Sequence, residues 1–157
     1  MPDSERDYIA VAASLSPDGT LQERMQAVVD ALWRELSERG VSWVGFYLDR
    51  PGEPDDVRLV LGPHRDQPAC SPLALHGVCG QALRFRMPRI VEDVRELGDD
   101  YVACDPRDLS EIVIPLIDRT GHCWGVLDLD SYELGAFDET DEAGLKLVLT
   151  AAGLLED

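Results

Sequence analysis

The sequence predicts an α/β chain of the α+β kind, with a central, mostly antiparallel sheet, terminal helices on one face and a ligand pocket under loops on the other. Three observations predict it. Two pairs of β-rich runs are each joined by a short turn, which implies antiparallel partners. The long helical stripes lie at the two ends of the chain. Residues 62–77 are broken by Gly62, Pro63, Pro68 and Pro72, carry little period and must cross a sheet face as loop. The 157 residues suit one core, so residues 1–157 are read as a single domain.

The elements follow in order. Residues 1–16 hold Tyr8, Ile9, Val11, Ala12 and Leu15, a rough helical stripe that Pro17-Asp18-Gly19 ends. Thr20-Leu21-Gln22-Glu23 is a capping box: the Thr20 hydroxyl accepts an N–H of the first turn and Glu23 reaches back. Leu21, Met25, Val28, Val29, Leu32, Trp33 and Leu36 follow at helical spacing, and Gly40 suits the left-handed position past a helix end. Val41-Ser42-Trp43-Val44-Gly45-Phe46-Tyr47-Leu48 is dense in β-formers, and Val57-Arg58-Leu59-Val60-Leu61 is its returning strand. Residues 62–77 are expected as loop with a short strand near Cys70, residues 78–85 as a short helix and Arg89-Ile90-Val91 as a short strand. Residues 94–101 read as irregular or weakly helical. The runs 112–117 and 123–130 form a hairpin around Gly121. Asp138 caps a last helix whose first turn holds Glu139, Asp141 and Glu142, acids that complement the helix dipole. Leu145, Leu147, Val148, Leu149 and Leu154 give that helix its buried face.

Charge excludes whole classes of partner. With 31 acidic residues against 14 basic ones the net charge is −17, which repels nucleic acid phosphate and anionic lipid. No apolar run approaches a membrane span, and the acidic, polar start of the chain is no secretory signal, so the expected compartment is the cytoplasm. There Cys70, Cys79, Cys104 and Cys123 are reduced by default. None forms a C-x-x-C pair, and His64, His76 and His122 have no zinc spacing, so no metal and no organic cofactor are expected.

Some residues carry chemistry. Cys104 lies in a polar segment just before a strand, at a surface or pocket rim, where a thiol is accessible; inert packing beside Val102 and Ala103 is the other reading. Cys79 sits in Gly77-Val78-Cys79-Gly80, where a helix begins. A helix N-terminus lowers a thiol pKa, so local physics alone makes Cys79 the first-choice nucleophile. Cys70, in the loop Pro68-Ala69-Cys70-Ser71-Pro72, suits a resolving thiol. Asp128 and Asp130 flank Leu129, and strand alternation puts both carboxylates on one face with Val126. They read either as perturbed functional acids or as the solvated end of an edge strand. Glu111 opens the neighbouring strand and can converge with them. Trp43 and Tyr47 share a strand face, as pocket wall or as core.

The stretches Trp43-Val44-Gly45-Phe46-Tyr47, Ala69-Cys70, Gly77-Val78-Cys79-Gly80, Ala103-Cys104-Asp105, Ser110-Glu111-Ile112-Val113, Pro115-Leu116 and Gly125-Val126-Leu127-Asp128-Leu129-Asp130-Ser131 resemble the free methionine-(R)-sulfoxide reductases. These are small GAF-fold enzymes, and the resemblance runs from Trp43 to the last helix. Three cysteines, the glutamate after the third and the paired aspartates, in this order, carry it. It implies a GAF-like fold and reduction of free L-methionine-(R)-sulfoxide. It implies Cys104 as nucleophile, Cys70 as main resolving thiol and Cys79 as auxiliary thiol. Glu111, Asp128 and Asp130 would hold the substrate and its developing charge, and Trp43 and Tyr47 would wall the methyl-thioether end. The sequence departs from the family where Cys70 to Cys79 is one residue short, where Leu75-His76 precedes Gly77, and where Pro106-Arg107-Asp108-Leu109 replaces small polar residues. Cys123 lies outside the pattern and reads as a strand cysteine.

The implied chemistry is a thiolate attack on the sulfoxide sulfur, a cysteine sulfenic acid, and a disulfide that a thioredoxin-like dithiol reopens. A homodimer is carried as one candidate assembly. The alternative function is a non-catalytic GAF sensor binding a small ligand such as a cyclic nucleotide. Phe137-Asp138-Glu139 matches part of that signature, but Gly135-Ala136 stands where its Asn-Lys partner would be.

Overall fold

The structure is a computed structural model that describes residues 6–100 and 104–156. The Tyr101, Val102 and Ala103 part of the sequence reading lies outside the described residues. Helices α1 (Tyr8–Ala13) and α2 (Leu21–Leu36) lead into strand β1 (Trp43–Asp49). Then come β2 (Leu59–Arg65), α3 (Val78–Phe85), β3 (Arg89–Val91), β4 (Ser110–Ile117), β5 (Cys123–Ser131) and α4 (Glu139–Ala151). The five strands form one sheet in the order β2-β1-β5-β4-β3. Every neighbouring pair in it is antiparallel.

The helix ends form as the sequence predicts. Thr20 and Glu23 make a complete capping box on α2, and Asp138 with Asp141 makes another on α4. Each satisfies amide groups that a helix start leaves unpaired, a contribution of about 1 kcal/mol. Asp141 also accepts from the Tyr8 hydroxyl at 2.5 Å and pairs with Arg6 at 2.9 Å, which ties α1 to α4. Three hydrophobic positions differ from the periodicity: Leu147, Leu21 and Ile9 are exposed, because α4 turns Leu145, Val148 and Leu149 inward and α2 and α1 bury Met25 and Val11 instead. Among the described residues, no helix is long and apolar enough to cross a membrane.

The β2 region corrects the expectation. Residues 55–57 form a 3₁₀ turn, and the returning strand starts at Leu59 and runs on through Gly62 and Pro63 to Arg65. Gly45 pairs with His64 and Tyr47 with Leu61, so Gly62 and Pro63 together oppose Phe46 in a bulge. An edge strand tolerates proline, and a bulge absorbs the glycine, so two loop signals sit inside a strand. The short strand expected near Cys70 is absent from the described residues. Its loop is held instead by an isolated bridge between Leu59 and Leu73 and by the Ser71 hydroxyl, which accepts from the Leu61 amide at 3.0 Å.

The sheet separates two cores. On one face Val44, Phe46, Ile112, Ile114, Leu116, Leu127 and Leu129 pack against α1, α2 and α4. On the other, Trp43, Tyr47, Val113 and Val126 meet α3 and the 66–77 loop. Two glycines make the second face fit. A side chain at Gly80 would collide with the Leu75 backbone, so α3 lies close on the loop before it. A side chain at Gly45 would collide with the Trp43 indole, which lies along β1 over that gap.

Candidate active site

Alternation on three adjacent strands builds the site. Trp43, Gly45 and Tyr47 of β1, Glu111 of β4, and Asp128 and Asp130 of β5 all face away from the helical layer. Register aligns them: Glu111 and Trp43 both pair with Asp130, and Gly45 pairs with Asp128. Directly opposed side chains in such ladders lie about 4.5–5.5 Å apart at Cβ, so the acids crowd. Since β5 is the middle strand, the reading of Asp128 and Asp130 as a solvated edge is ruled out. Asp128 and Glu111 are buried and Asp130 is half-buried.

Burial pushes the pKa of Asp128, Asp130 and Glu111 up. For the two aspartates the neighbouring carboxylates push further; for Glu111, hydrogen bonds to Asp128 and Asp130 and the Arg89 charge pull back. Like-charged groups this close oppose one another's ionisation, so the cluster holds its protons more tightly than free carboxyl groups do. Asp128 Oδ1 is, among the described residues, the buried side-chain oxygen without a hydrogen-bond partner. Among the described residues, no Lys, Arg or His lines the pocket.

The pocket joins all these groups. Trp43, Tyr47, Cys79, Cys104, Glu111, Asp128 and Asp130 line it together with the loop residues Gln67, Pro68 and Ala69. The aromatic pair does more than form a wall. Trp43 Nε1 donates to the Gln67 carbonyl at 3.0 Å, and the Tyr47 hydroxyl donates to the Cys70 carbonyl at 2.8 Å. Together they hold the loop over the pocket. The ring centroids lie 5.9 Å apart.

Cys70 and Cys104 are joined as a disulfide at the pocket rim, with Cα atoms 5.5 Å apart. Cys104 is exposed and Cys70 half-buried. The turn after Cys104 is tied by hydrogen bonds: Asp105 accepts from Arg107 and from the Tyr132 hydroxyl, at 3.0 and 2.9 Å. The Arg107 hydrogen bonds hold Asp105 down at about 2, so it stays ionised beside the disulfide.

Cys79 corrects the local expectation. It lies in the first turn of α3, as the sequence predicts, but it is buried. Burial first, then Asp128, Glu111 and Asp130, push its pKa well up. Desolvation and three nearby carboxylates outweigh the pull of one helix terminus. Cys123 is the buried first residue of β5 and bonds within its own strand, outside the pocket.

Asp108 and Ser42 were missed. Asp108 lines the pocket, accepts from the Ser42 hydroxyl at 3.2 Å and is 8% exposed. Burial and the Asp105 charge push it up to about 7. The available signal was a second acid, after Asp105, between Cys104 and Glu111.

The GAF domain family matches residues 18–155. The chain belongs to the GAF-domain family that includes the free methionine-R-sulfoxide reductases. That enzyme of Escherichia coli (strain K12) is 40% identical over 116 residues, 73% of this chain and 65% of the relative. The Saccharomyces cerevisiae free methionine-R-sulfoxide reductase is 36% identical over 68% of this chain and 58% of its own length. The match thus spans less than two thirds of these two relatives. The Neisseria meningitidis free methionine-R-sulfoxide reductase, solved in complex with its substrate, superposes with a TM-score of 0.78 at 31% identity, over 94% of this chain and 86% of that one. The GAF-domain sheet is thus the frame on which the thiols and acids of this chain are mounted.

Proposed function

We propose that residues 1–157 act as one domain that reduces free L-methionine-(R)-sulfoxide to methionine. The observation that carries this reading is the Cys70–Cys104 disulfide at the rim of a pocket floored by Glu111, Asp128 and Asp130, with no cation among the described residues of its lining. Such a floor suits a ligand that brings its own ammonium group.

The steps follow from the groups present. The Cys104 thiolate attacks the sulfoxide sulfur while a protonated acid of the cluster gives its proton to the sulfoxide oxygen. With a second proton the oxygen leaves as water, so that the S–O bond breaks and Cys104 is held to the substrate as a sulfonium. A water then attacks the Cys104 sulfur, the bond between the two sulfurs breaks, methionine leaves with a proton released, and Cys104 is a sulfenic acid. The Cys70 thiol displaces the sulfenic oxygen as water and forms the disulfide. An external thioredoxin-like dithiol reduces it, and the two electrons given to the sulfoxide are thereby replaced. Glu111, Asp128 and Asp130 hold the substrate ammonium and the positive charge developing at sulfur. Trp43 and Tyr47 pack on the methyl-thioether end. Cys79, raised and buried, acts at most as an auxiliary thiol.

The test is an NADPH-coupled thioredoxin assay with free methionine-(R)-sulfoxide, its S epimer, and the N-acetylated, amidated derivative. Turnover is expected on the first alone. Cys70→Ser is expected to lose thioredoxin-driven turnover yet convert one equivalent of substrate. No conversion by the reduced wild type at any reductant concentration overturns the reading and favours a non-catalytic sensor.

A further inference from the structure

Three donor atoms from three elements converge at the pocket floor. Cys79 Sγ from α3, a carboxylate oxygen of Glu111 from β4 and one of Asp128 from β5 all lie within 4.8 Å of one another. All three residues are buried. Among the described residues, Asp128 Oδ1 has no hydrogen-bond partner and the pocket lining offers no cation to face it. A buried carboxylate oxygen with an unused lone pair demands an explanation, because native structures leave few such atoms unmatched. The chain's net charge of −17 further favours a cation over an anion here.

We propose that Cys79, Glu111 and Asp128 form a divalent-metal site of the Zn²⁺ class, with the fourth position open to the pocket. The donor set selects the metal. One thiolate with two carboxylates is foreign to Ca²⁺ and Mg²⁺, which take six or more oxygens. It suits a borderline ion in a three-ligand tetrahedral site. Bond lengths of roughly 2.0–2.3 Å bring tetrahedral ligands to about 3.5 Å apart, so small side-chain rotations close this cluster on an ion. Cys79 releases its thiol proton on binding, and the metal replaces the proton shared by the carboxyl groups; no electron moves. The site escaped the sequence reading because its ligands come from three separate elements and form no short motif.

Occupation has a consequence for the enzyme that rests on the proposed function. Glu111 and Asp128 are the groups assigned to the substrate, so the metal and methionine sulfoxide exclude each other. Free Zn²⁺ would then hold the reductase idle while its thiols remain intact.

The experiment uses the full chain in its disulfide form, where Cys70 and Cys104 cannot act as ligands. Co²⁺ is titrated as a spectroscopic probe, and Zn²⁺ is added in competition. The expected result is one site with a thiolate-to-cobalt charge-transfer band that disappears in Cys79→Ser and persists in Cys123→Ser. Zn²⁺ affinity is expected to fall at least about 100-fold in Cys79→Ser and in Asp128→Asn, the upper end of what losing even an outer-shell partner costs. Both replacements keep the side-chain shape, and circular dichroism verifies the fold. A band that survives Cys79→Ser, or that Cys123→Ser removes, overturns the site. Methionine sulfoxide is expected to weaken Zn²⁺ binding in proportion to its concentration. If the metal binds as described but sulfoxide does not compete, the metal site stands and the substrate placement falls. If sulfoxide is reduced but no thiolate-bound metal forms, the metal site falls alone.

Discussion

The two faces of the sheet are made from alternate residues of the same strands, yet they differ in kind. On the helical side Val44, Phe46, Ile112, Ile114, Leu127 and Leu129 are fully buried and wholly apolar. On the pocket side the intervening positions include, beside Val113 and Val126, Trp43, Tyr47, Glu111, Asp128 and Asp130, with Cys79 above them. The first face gains stability from apolar burial, about 25 cal/mol per Å². The second spends some of it on desolvated carboxyl groups. The difference shows how the site is held. A slip of one residue would exchange the faces and drive acids into the apolar layer. Leu127 and Leu129 therefore fix the register that sets Asp130 against Glu111 and Asp128 against Gly45. Function rests on residues that never touch the pocket.

The sharpest separation of the faces is Cys104→Ser against Leu129→Ala. Cys104→Ser is expected to abolish sulfoxide reduction and to leave the reduced protein's melting temperature within a degree or so, because Cys104 is exposed at the pocket rim. Leu129→Ala is expected to cost about 2–5 kcal/mol of stability, measured by urea unfolding, while the folded fraction keeps its kcat. If Cys104→Ser stays active and Cys79→Ser is dead, the thiols have exchanged roles and the rim disulfide is not the catalytic one.

Asp128→Asn comes next in size and tests whether the pocket face sacrifices stability for function. It is expected to lower kcat/KM by about 100-fold or more, the scale of a positioned electrostatic group. It should also raise stability or leave it unchanged. The amide removes a buried acid whose Oδ1 has no partner. Reduced activity with a marked loss of stability would show that Asp128 serves the sheet instead of the substrate.

The same contrast explains what could be read without a structure. The helical face was legible because its signals are local: the Thr20–Glu23 box, the Asp138 cap, and the period of Leu127 and Leu129. The order and type of the elements followed. Shared faces on β1, β4 and β5 were legible too, since alternation is exact in period. Three features were not. The Gly62-Pro63 bulge looks like a loop because only the position of β2 at the sheet edge makes proline tolerable there. The state of Cys79 depends on acids from β4 and β5, distant in sequence, and local helix physics points the other way. Trp43 and Tyr47 bond to the carbonyls of Gln67 and Cys70, contacts that leave no mark on side-chain pattern.

The smallest expected effect concerns Asp108, which sits where the rim loop meets the pocket face. Its neighbours are Asp105 and Arg107 on the loop, Ser42 before β1 and Glu111 on β4. Burial and the Asp105 and Glu111 charges push its pKa up from 3.8 to about 7, while the Ser42 hydrogen bond and Arg107 pull back. The folded state therefore binds this proton more tightly than the unfolded chain. Below about pH 4 both states are protonated and Asp108 costs nothing. As pH rises from about 4 to 7 the unfolded chain ionises first, stability falls, and the full cost remains above 7. Asp108→Asn keeps the shape and an acceptor for Ser42 but cannot ionise. It is expected to melt on the order of 5 °C higher than wild type at pH 8, and with little difference at pH 4. Calorimetric melts of both proteins at the two pH values measure this. An equal shift at both would mean that Asn packs better and that the Asp108 charge carries no penalty. A gain confined to high pH, accompanied by reduced turnover, would extend the acidic pocket face to include Asp108. Unchanged turnover with the same gain would confine that face to Glu111, Asp128 and Asp130.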